Sequence, residues 1–202
     1  MIGAIVLAAG RSTRMGQTKQ LLQWEGKILL NHVLDELRRS RVDERILVLG
    51  HDAERVLRAA QTGGVRVVVN HDYVQGMITS IQRGLAALPE EAEGFFIVLG
   101  DQPEIPAEIY DRLIDEFHLV HPRKGILIPT CQGRRGHPTL FSGKYRDEAM
   151  RITGDVGLRP ILQAHPEDIL TVAVDSDAIL LDIDTPEDFQ RYLRRQKPKG
   201  GP

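Results

Sequence analysis

The sequence predicts an α/β protein with a mostly parallel sheet and helices on both faces. Three observations lead there. Short apolar runs such as Ile2–Ala9 and Phe95–Leu99 lack polar alternation, as strands buried on both faces require. Segments with apolar residues at helical spacing separate these runs. Glycine, proline or polar turn residues close each run.

The first run enters at Ile2 and stops at Gly10. Leu29, Leu30, Val33, Leu34 and Leu37 then recur at helical spacing, which predicts a helix over roughly 28–40. Arg45–Leu49 reads as a strand. Ala53–Thr62 reads as a helix ended by Gly63–Gly64. A strand at Arg66–Asn70, a loop at His71–Gly76 and a helix at Ile78–Leu88 follow. Phe95–Leu99 is a strand ending at Gly100–Asp101, and Pro106 suits the first position of the next helix. This alternation implies three layers with right-handed crossovers.

Beyond residue 124 the pattern loosens. Gly125–Thr130 reads as a strand, Gly133–Gly136 as a turn, and His137–Phe141 as the returning partner of a small hairpin. Helices are expected at Lys144–Met150 and at Leu158–Ala164, where Pro160 fits the first turn. Ile169–Val174 and Ile179–Leu181 read as late strands. Thr185 caps a last helix, with Pro186 at its first position. One domain over 1–195 and a flexible tail at 196–202 are expected.

Composition narrows the function classes. A net charge of −2 gives no sign of nucleic acid as a partner. No apolar stretch approaches the ~20 residues that span a bilayer, so no membrane partner is expected. The single cysteine, Cys131, excludes an internal disulfide and a multi-cysteine zinc site, and a cytoplasmic location is the natural expectation. Packing suits Cys131 better than nucleophilic use. The other histidines (His32, His51, His71, His118, His121, His165) show no ligand spacing and are expected in solvent.

Three stretches carry chemistry. The loop after the first strand holds Gly10, Ser12, Thr13 and Gly16 with the cations Arg11, Arg14 and Lys19. Glycines let backbone N–H groups approach a phosphate, and the cations neutralise it. The spacing matches neither G-x-G-x-x-G nor G-x-x-x-x-G-K-[ST], which argues against a dinucleotide-dependent oxidoreductase and a P-loop. The second stretch is Gly100–Asp101–Gln102–Pro103. A carboxylate at a strand end can hold Mg²⁺ over a neighbouring loop's phosphates, though an aspartate also serves such turns structurally. In the third, Asp182 and Asp184 are spaced to share one face of a strand end, and either offers a second carboxylate to a metal. The same stretch is also a helix-start signature.

Leu7–Ala8–Ala9–Gly10–Arg11–Ser12–x–Arg14–Met15–Gly16–x–x–Lys19, with its continuation Gln20–Leu21–Leu22–x–Trp24–x–Gly26–Lys27, resembles the signature of MobA/MocA-type nucleotidyltransferases. Gly100–Asp101–x–Pro103 is similar to that family's metal motif, and Asp182–x–Asp184 to the closing motif of its MocA-like members. Asn70–x–x–Tyr73–x–x–Gly76–Met77–x–Thr79–Ser80, Gly136–His137–Pro138 and Gly154–Asp155–x–Gly157 also look MocA-like. Two departures are Ile78, where a serine is usual, and Thr18 before Lys19.

The resemblance implies a three-layer α/β/α Rossmann-like nucleotidyltransferase fold with a small hairpin on the acceptor side. It implies transfer of CMP from CTP to the phosphate of a molybdopterin-type cofactor, with Mg²⁺ as cofactor and a molybdoenzyme or its chaperone as a further partner. Arg14, Lys19 and Asp101 would be catalytic. Leu7, Ala8, Ala9, Gly10, Arg11, Ser12, Asn70, Ser80 and Gly100, with Arg14 and Lys19, would bind the nucleotide. Asp101 and Asp184, then Asp182, would hold the metal. Gly76, Met77, Thr79, His137 and Asp155 would face the acceptor. Base choice would rest on Ala9, since guanylyl-transferring relatives tend to carry Leu-Ala-Gly-Gly. Same-fold transfer from GTP, a sugar-phosphate acceptor and a non-catalytic nucleotide-binding accessory protein remain as alternatives.

Overall fold

The computed structural model describes residues 1–195; the tail expected at 196–202 lies outside the described residues. In chain order the elements are β1 (Ile2–Ala8), β2 (Gln23–Trp24), β3 (Lys27–Ile28), α1 (Leu29–Arg39), β4 (Glu44–Leu49), α2 (Ala53–Ala59), β5 (Arg66–Val69), α3 (Met77–Ala87) and β6 (Gly94–Leu99). Then come α4 (Ala107–Val120), β7 (Ile126–Cys131), β8 (Arg134–Arg135), β9 (Thr139–Ser142), α5 (Arg146–Arg151), α6 (Arg159–Ala164), β10 (Ile169–Ala173) and α7 (Pro186–Arg195).

The main sheet runs β10-β7-β9-β6-β1-β4-β5, with β8 paired to β7. β1 lies parallel between β4 and β6, which explains its unbroken apolar run. Strand alternation divides the core. Ala4, Val6 and Ala8 face the layer that holds Leu30, Leu34, Leu113 and Phe117 of α1 and α4. Ile5 faces the other layer, with Ile81 and Leu85 of α3. Gly84 of α3 sits directly over Ile5: a Cβ there would lie 2.3 Å from Ile5 Cγ2. That close approach fixes how deeply α3 settles on the central strand.

The structure corrects several expectations. α2 stops at Ala59, and Ala60 is already extended well before the Gly63–Gly64 pair. Pro106 stands one residue outside α4 as its cap. The hairpin partner of β7 is β8, whereas β9 inserts antiparallel between β6 and β7. Ile179–Leu181 forms no strand. Residues Asp177–Leu180 make a 3₁₀ turn, capped by Ser176 accepting from the Ala178 N–H at 3.3 Å. Crossover hand is mixed as well. The helices α1 and α2 lie on one face as the chain moves towards β5, and α3 lies on the other face as it returns to β6. Those three connections share one hand. α4 lies on the α1 face although the chain is still moving the same way, so the β6–α4–β7 connection has the opposite hand. The intervening β9 keeps β6 and β7 from being direct neighbours.

The last helix begins as expected. The Thr185 hydroxyl accepts the Asp188 N–H at 3.1 Å, and the Asp188 carboxylate accepts the Thr185 N–H at 3.0 Å.

Gly84→Ala should destabilise the protein by about 1–3 kcal/mol through overpacking against Ile5. Chemical denaturation checks this, with a lowered midpoint and an unchanged slope.

Candidate active site

The loop after β1 is folded around Ser12. Its carbonyl accepts the N–H groups of Met15 (3.0 Å) and Gly16 (3.2 Å), and its hydroxyl accepts the Lys19 N–H at 3.1 Å. Ser12 and Gly16 both take positive φ, 51° and 72°, so the loop turns back on itself. Met15 is buried in a small apolar cluster with Leu22, Leu29, Ile183 and Tyr192. This cluster brings the segment before α7 against the loop. Chain regions about 170 positions apart therefore meet because of Met15 and Ile183, two residues with no chemistry of their own.

Ile183 also donates its N–H to the Asp101 carbonyl at 3.3 Å. Asp101 is set by Gly100, whose N–H donates to Leu7 O at 3.1 Å and whose Cβ, if present, would lie 3.0 Å from that oxygen. Lys19 Nζ contacts the Asp101 carboxylate and lies 2.9 Å from Asp184 Oδ1. Arg14 reaches the other oxygen of Asp184 at 3.0 Å. Burial opposes the Lys19 charge, but Asp101 and Asp184 more than offset it and hold its pKa above the usual lysine value.

Asp182 accepts from Gln102 Nε2 at 2.6 Å. Burial, then the Asp101 charge, pushes its pKa above the usual carboxylate range. The expectation of a shared strand face for Asp182 and Asp184 is corrected: no strand forms there, and each carboxylate engages its own partners on either side of buried Ile183.

Among the described residues no three His, Cys, Asp or Glu side chains gather as a metal cage. Two carboxylates converging on one cation are nonetheless the donor set that Mg²⁺ takes, with water and substrate phosphates completing the shell. The residues present therefore fit a divalent metal held by Asp101 and Asp184.

On the other flank of the loop, His51 donates its N–H to Ala9 O at 3.1 Å, and the Thr18 hydroxyl donates to Asp52 at 2.5 Å. Arg11, Ser12 and Thr13 line a cleft of about 400 Å³ there together with His51, Asp52 and Arg55. Sequence reading missed these last three. Their signal was the position of Gly50–His51–Asp52 directly after a parallel strand, where open sheets bind ligands.

Asn70, expected at the nucleotide, is fully buried. Its amide donates to the hydroxyls of Thr79 (2.8 Å) and Ser80 (2.9 Å), and its carbonyl oxygen accepts the Asp72 N–H at 3.0 Å. These three side chains tie the β5–α3 turn together. Asp155 accepts the Met77 N–H at 2.9 Å, and Gly76, at φ 116°, leaves the room that Asp155 fills. Gly76, Met77, Thr79 and Asp155 thus meet at the start of α3. His137 sits apart, with its backbone N–H on Ile179 O at 3.0 Å and its buried Nδ1 without a hydrogen-bond partner. Of the histidines expected in solvent, His32 and His165 are partly buried and engaged, by Trp24 O and Glu148, both at 3.0 Å. Cys131 is buried, as expected.

A cationic loop facing a carboxylate pair suits the charge of a nucleoside triphosphate and of the pyrophosphate it releases. The protein is a nucleotidyltransferase. Residues 4–169 match the MobA-like NTP transferase domain, and the chain belongs to that family. It is 32% identical to the molybdenum cofactor cytidylyltransferase of Escherichia coli (strain K12), over 93% of each chain. It is 29% identical to nicotine blue oxidoreductase of Paenarthrobacter nicotinovorans, over 95% of this chain and 96% of that one. Among solved structures, Rv0371c from Mycobacterium tuberculosis H37Rv superposes with a TM-score of 0.85 at 35% identity, covering 96% of this chain and 97% of that chain. Nucleotidyltransferases of this fold typically use a divalent metal, and Rv0371c has also been solved in complex with manganese.

Burial lowers the His137 pKa from 6.5, against the smaller opposing pull of Asp101 and of the Ile97 backbone. The midpoint of its titration should therefore fall below the usual histidine value. An NMR titration of the ring C–H signals checks this.

Proposed function

We propose that this protein transfers CMP from CTP to the phosphate of a molybdopterin-type cofactor and releases pyrophosphate. The observation that carries the reading is the Lys19–Asp101–Asp184 cluster beneath a Leu-Ala-Ala-Gly loop, in a chain alike over nearly its whole length to a molybdenum cofactor cytidylyltransferase.

Arg11, Arg14 and Lys19 neutralise the triphosphate. The backbone around Ala8–Gly10 faces the base, and Leu7 and Gly100 shape the floor beneath it. An oxygen of the acceptor phosphate attacks the α-phosphorus. The bond from that phosphorus to the bridging oxygen of the β-phosphate breaks, and the pair leaves with pyrophosphate. No covalent intermediate on the protein is needed, so catalysis is positioning and charge stabilisation. Asp101 and Asp184 would hold Mg²⁺, which when bound supplies charge neutralisation at the α-phosphate and the leaving group. Gly76, Met77, Thr79 and Asp155 face the acceptor from the start of α3, and His137 faces it from its separate place between β8 and β9. Asn70 and Ser80 act on the nucleotide by holding the turn between β5 and α3 in shape. The reaction is placed in the cytoplasm, with a molybdoenzyme or its chaperone receiving the product.

A second reading has one observation in its favour, the likeness to a protein named nicotine blue oxidoreductase. That likeness means the missing dinucleotide fingerprint does not by itself dispose of redox chemistry on this scaffold. The paired carboxylates and clustered cations favour phosphoryl chemistry. Dye reduction at the expense of a nicotinamide, without pyrophosphate release, would support the second reading.

Lys19→Ala and Asp101→Ala should each fold, by circular dichroism, and each lose about a hundredfold in CMP transfer, roughly 3 kcal/mol of transition-state stabilisation. Near-wild-type turnover in either variant would remove that residue from the mechanism. Ala9→Gly should shift preference from CTP towards GTP by roughly 10–200-fold, read as the ratio of kcat/KM values.

A further inference from the structure

Lys19 is placed as more than a phosphate ligand. Its ammonium touches Asp101 Oδ2 and Asp184 Oδ1, on the two carboxylates that would hold a divalent ion. One cation only can stand between them. The pair is well shielded, with the side chains of Lys19 and Asp101 only 16% and 11% exposed. Asp184 is more open, at 34%, and the ammonium between the two carboxylates offsets their converging negative charges. The root of the side chain is fixed, since the Lys19 N–H is held by Ser12 Oγ at 3.1 Å and the residue opens a 3₁₀ turn. Four methylenes beyond that root give the ammonium freedom to swing. Arg14 stands outside the pair: it meets Asp184 through Oδ2 and is largely exposed.

We propose that Lys19 is an exchangeable stand-in for the metal: its ammonium holds Asp101 and Asp184 together, and gives up that place to a divalent cation when the triphosphate offers it a new partner. The inference rests on the assignment of Asp101 and Asp184 as metal ligands made above. Metal alone must displace a tethered ammonium that has nowhere favourable to go. Metal with nucleotide displaces an ammonium that the phosphates accept. The two ligands therefore bind cooperatively, beyond what the phosphates contribute as direct ligands, and by linkage each raises the affinity for the other equally. Lys19 also keeps the two carboxylates paired with a cation before either ligand arrives.

The test is binding of Mn²⁺ to the whole protein without nucleotide, followed by the electron paramagnetic resonance signal of free Mn²⁺. Lys19→Met and Lys19→Gln should each bind Mn²⁺ about tenfold more tightly than wild type, which corresponds to about 1.4 kcal/mol. Lys19→Arg, which keeps the cation, should not gain. Adding Asp101→Asn to Lys19→Met should abolish the gain. Two variants of different polarity guard against a folding defect in one. Unchanged or weaker Mn²⁺ binding in both Lys19→Met and Lys19→Gln overturns the exchange. If Asp101→Asn still abolishes Mn²⁺ binding in that case, the metal assignment survives and only the exchange is lost. If Asp101→Asn and Asp184→Asn leave Mn²⁺ binding untouched in every background, the metal assignment itself fails.

Discussion

One ammonium shared between two carboxylates organises the functional end of this molecule. Lys19 comes from the loop after the first strand, Asp101 from the end of the fourth parallel strand of the fold, and Asp184 from the approach to the last helix. Packing and backbone bonds bring the three together before their charges act. The buried contacts of Met15 with Ile183, the Ile183 N–H on Asp101 O and the Gly100 N–H on Leu7 O set the positions. The charges then stand in a partly shielded pocket where they interact far more strongly than in water.

Glycines contribute through what they leave out. At Gly100 a side chain would press on the Leu7 carbonyl, and at Gly76 it would collide with Asp155. At Gly84 it would lift α3 off the central strand. The first position sets the backbone that carries Asp101, and the second admits Asp155 at the start of α3. The third sets the height of a helix whose first turn, at Met77–Ser80, is tied to Asn70 and Asp155.

Much of this was legible in the sequence because it rests on local rules. Unbroken apolar runs marked the buried parallel strands, and Thr185–Pro186 marked the start of the last helix. The cationic loop and Asp101 stood out by residue type and by position at strand ends. What escaped depends on contacts far apart in the chain. Ile179–Leu181 has strand composition, but it finds no partner strand, and the Ser176 cap turns it into a 3₁₀ segment. Asn70 has the look of a ligand contact, but in the structure it is spent within its own turn on Thr79, Ser80 and Asp72. The insertion of β9 between β6 and β7, and the reversed hand it accompanies, follow from sheet order, which no single segment encodes. His51, Asp52 and Arg55 come to the loop only because β4 lies beside β1.

The central claim is that this charge cluster transfers a cytidylyl group to a phosphate on a molybdopterin-type acceptor. The most direct measurement is pyrophosphate release from each of CTP, GTP, ATP and UTP, with molybdopterin and with a panel of sugar phosphates, in the presence of Mg²⁺. The account expects release that depends on acceptor, is greatest with CTP and molybdopterin, and yields the cytosine dinucleotide. Preferred release from GTP, preferred use of a sugar phosphate, or tight CTP binding with no product from any acceptor would contradict it.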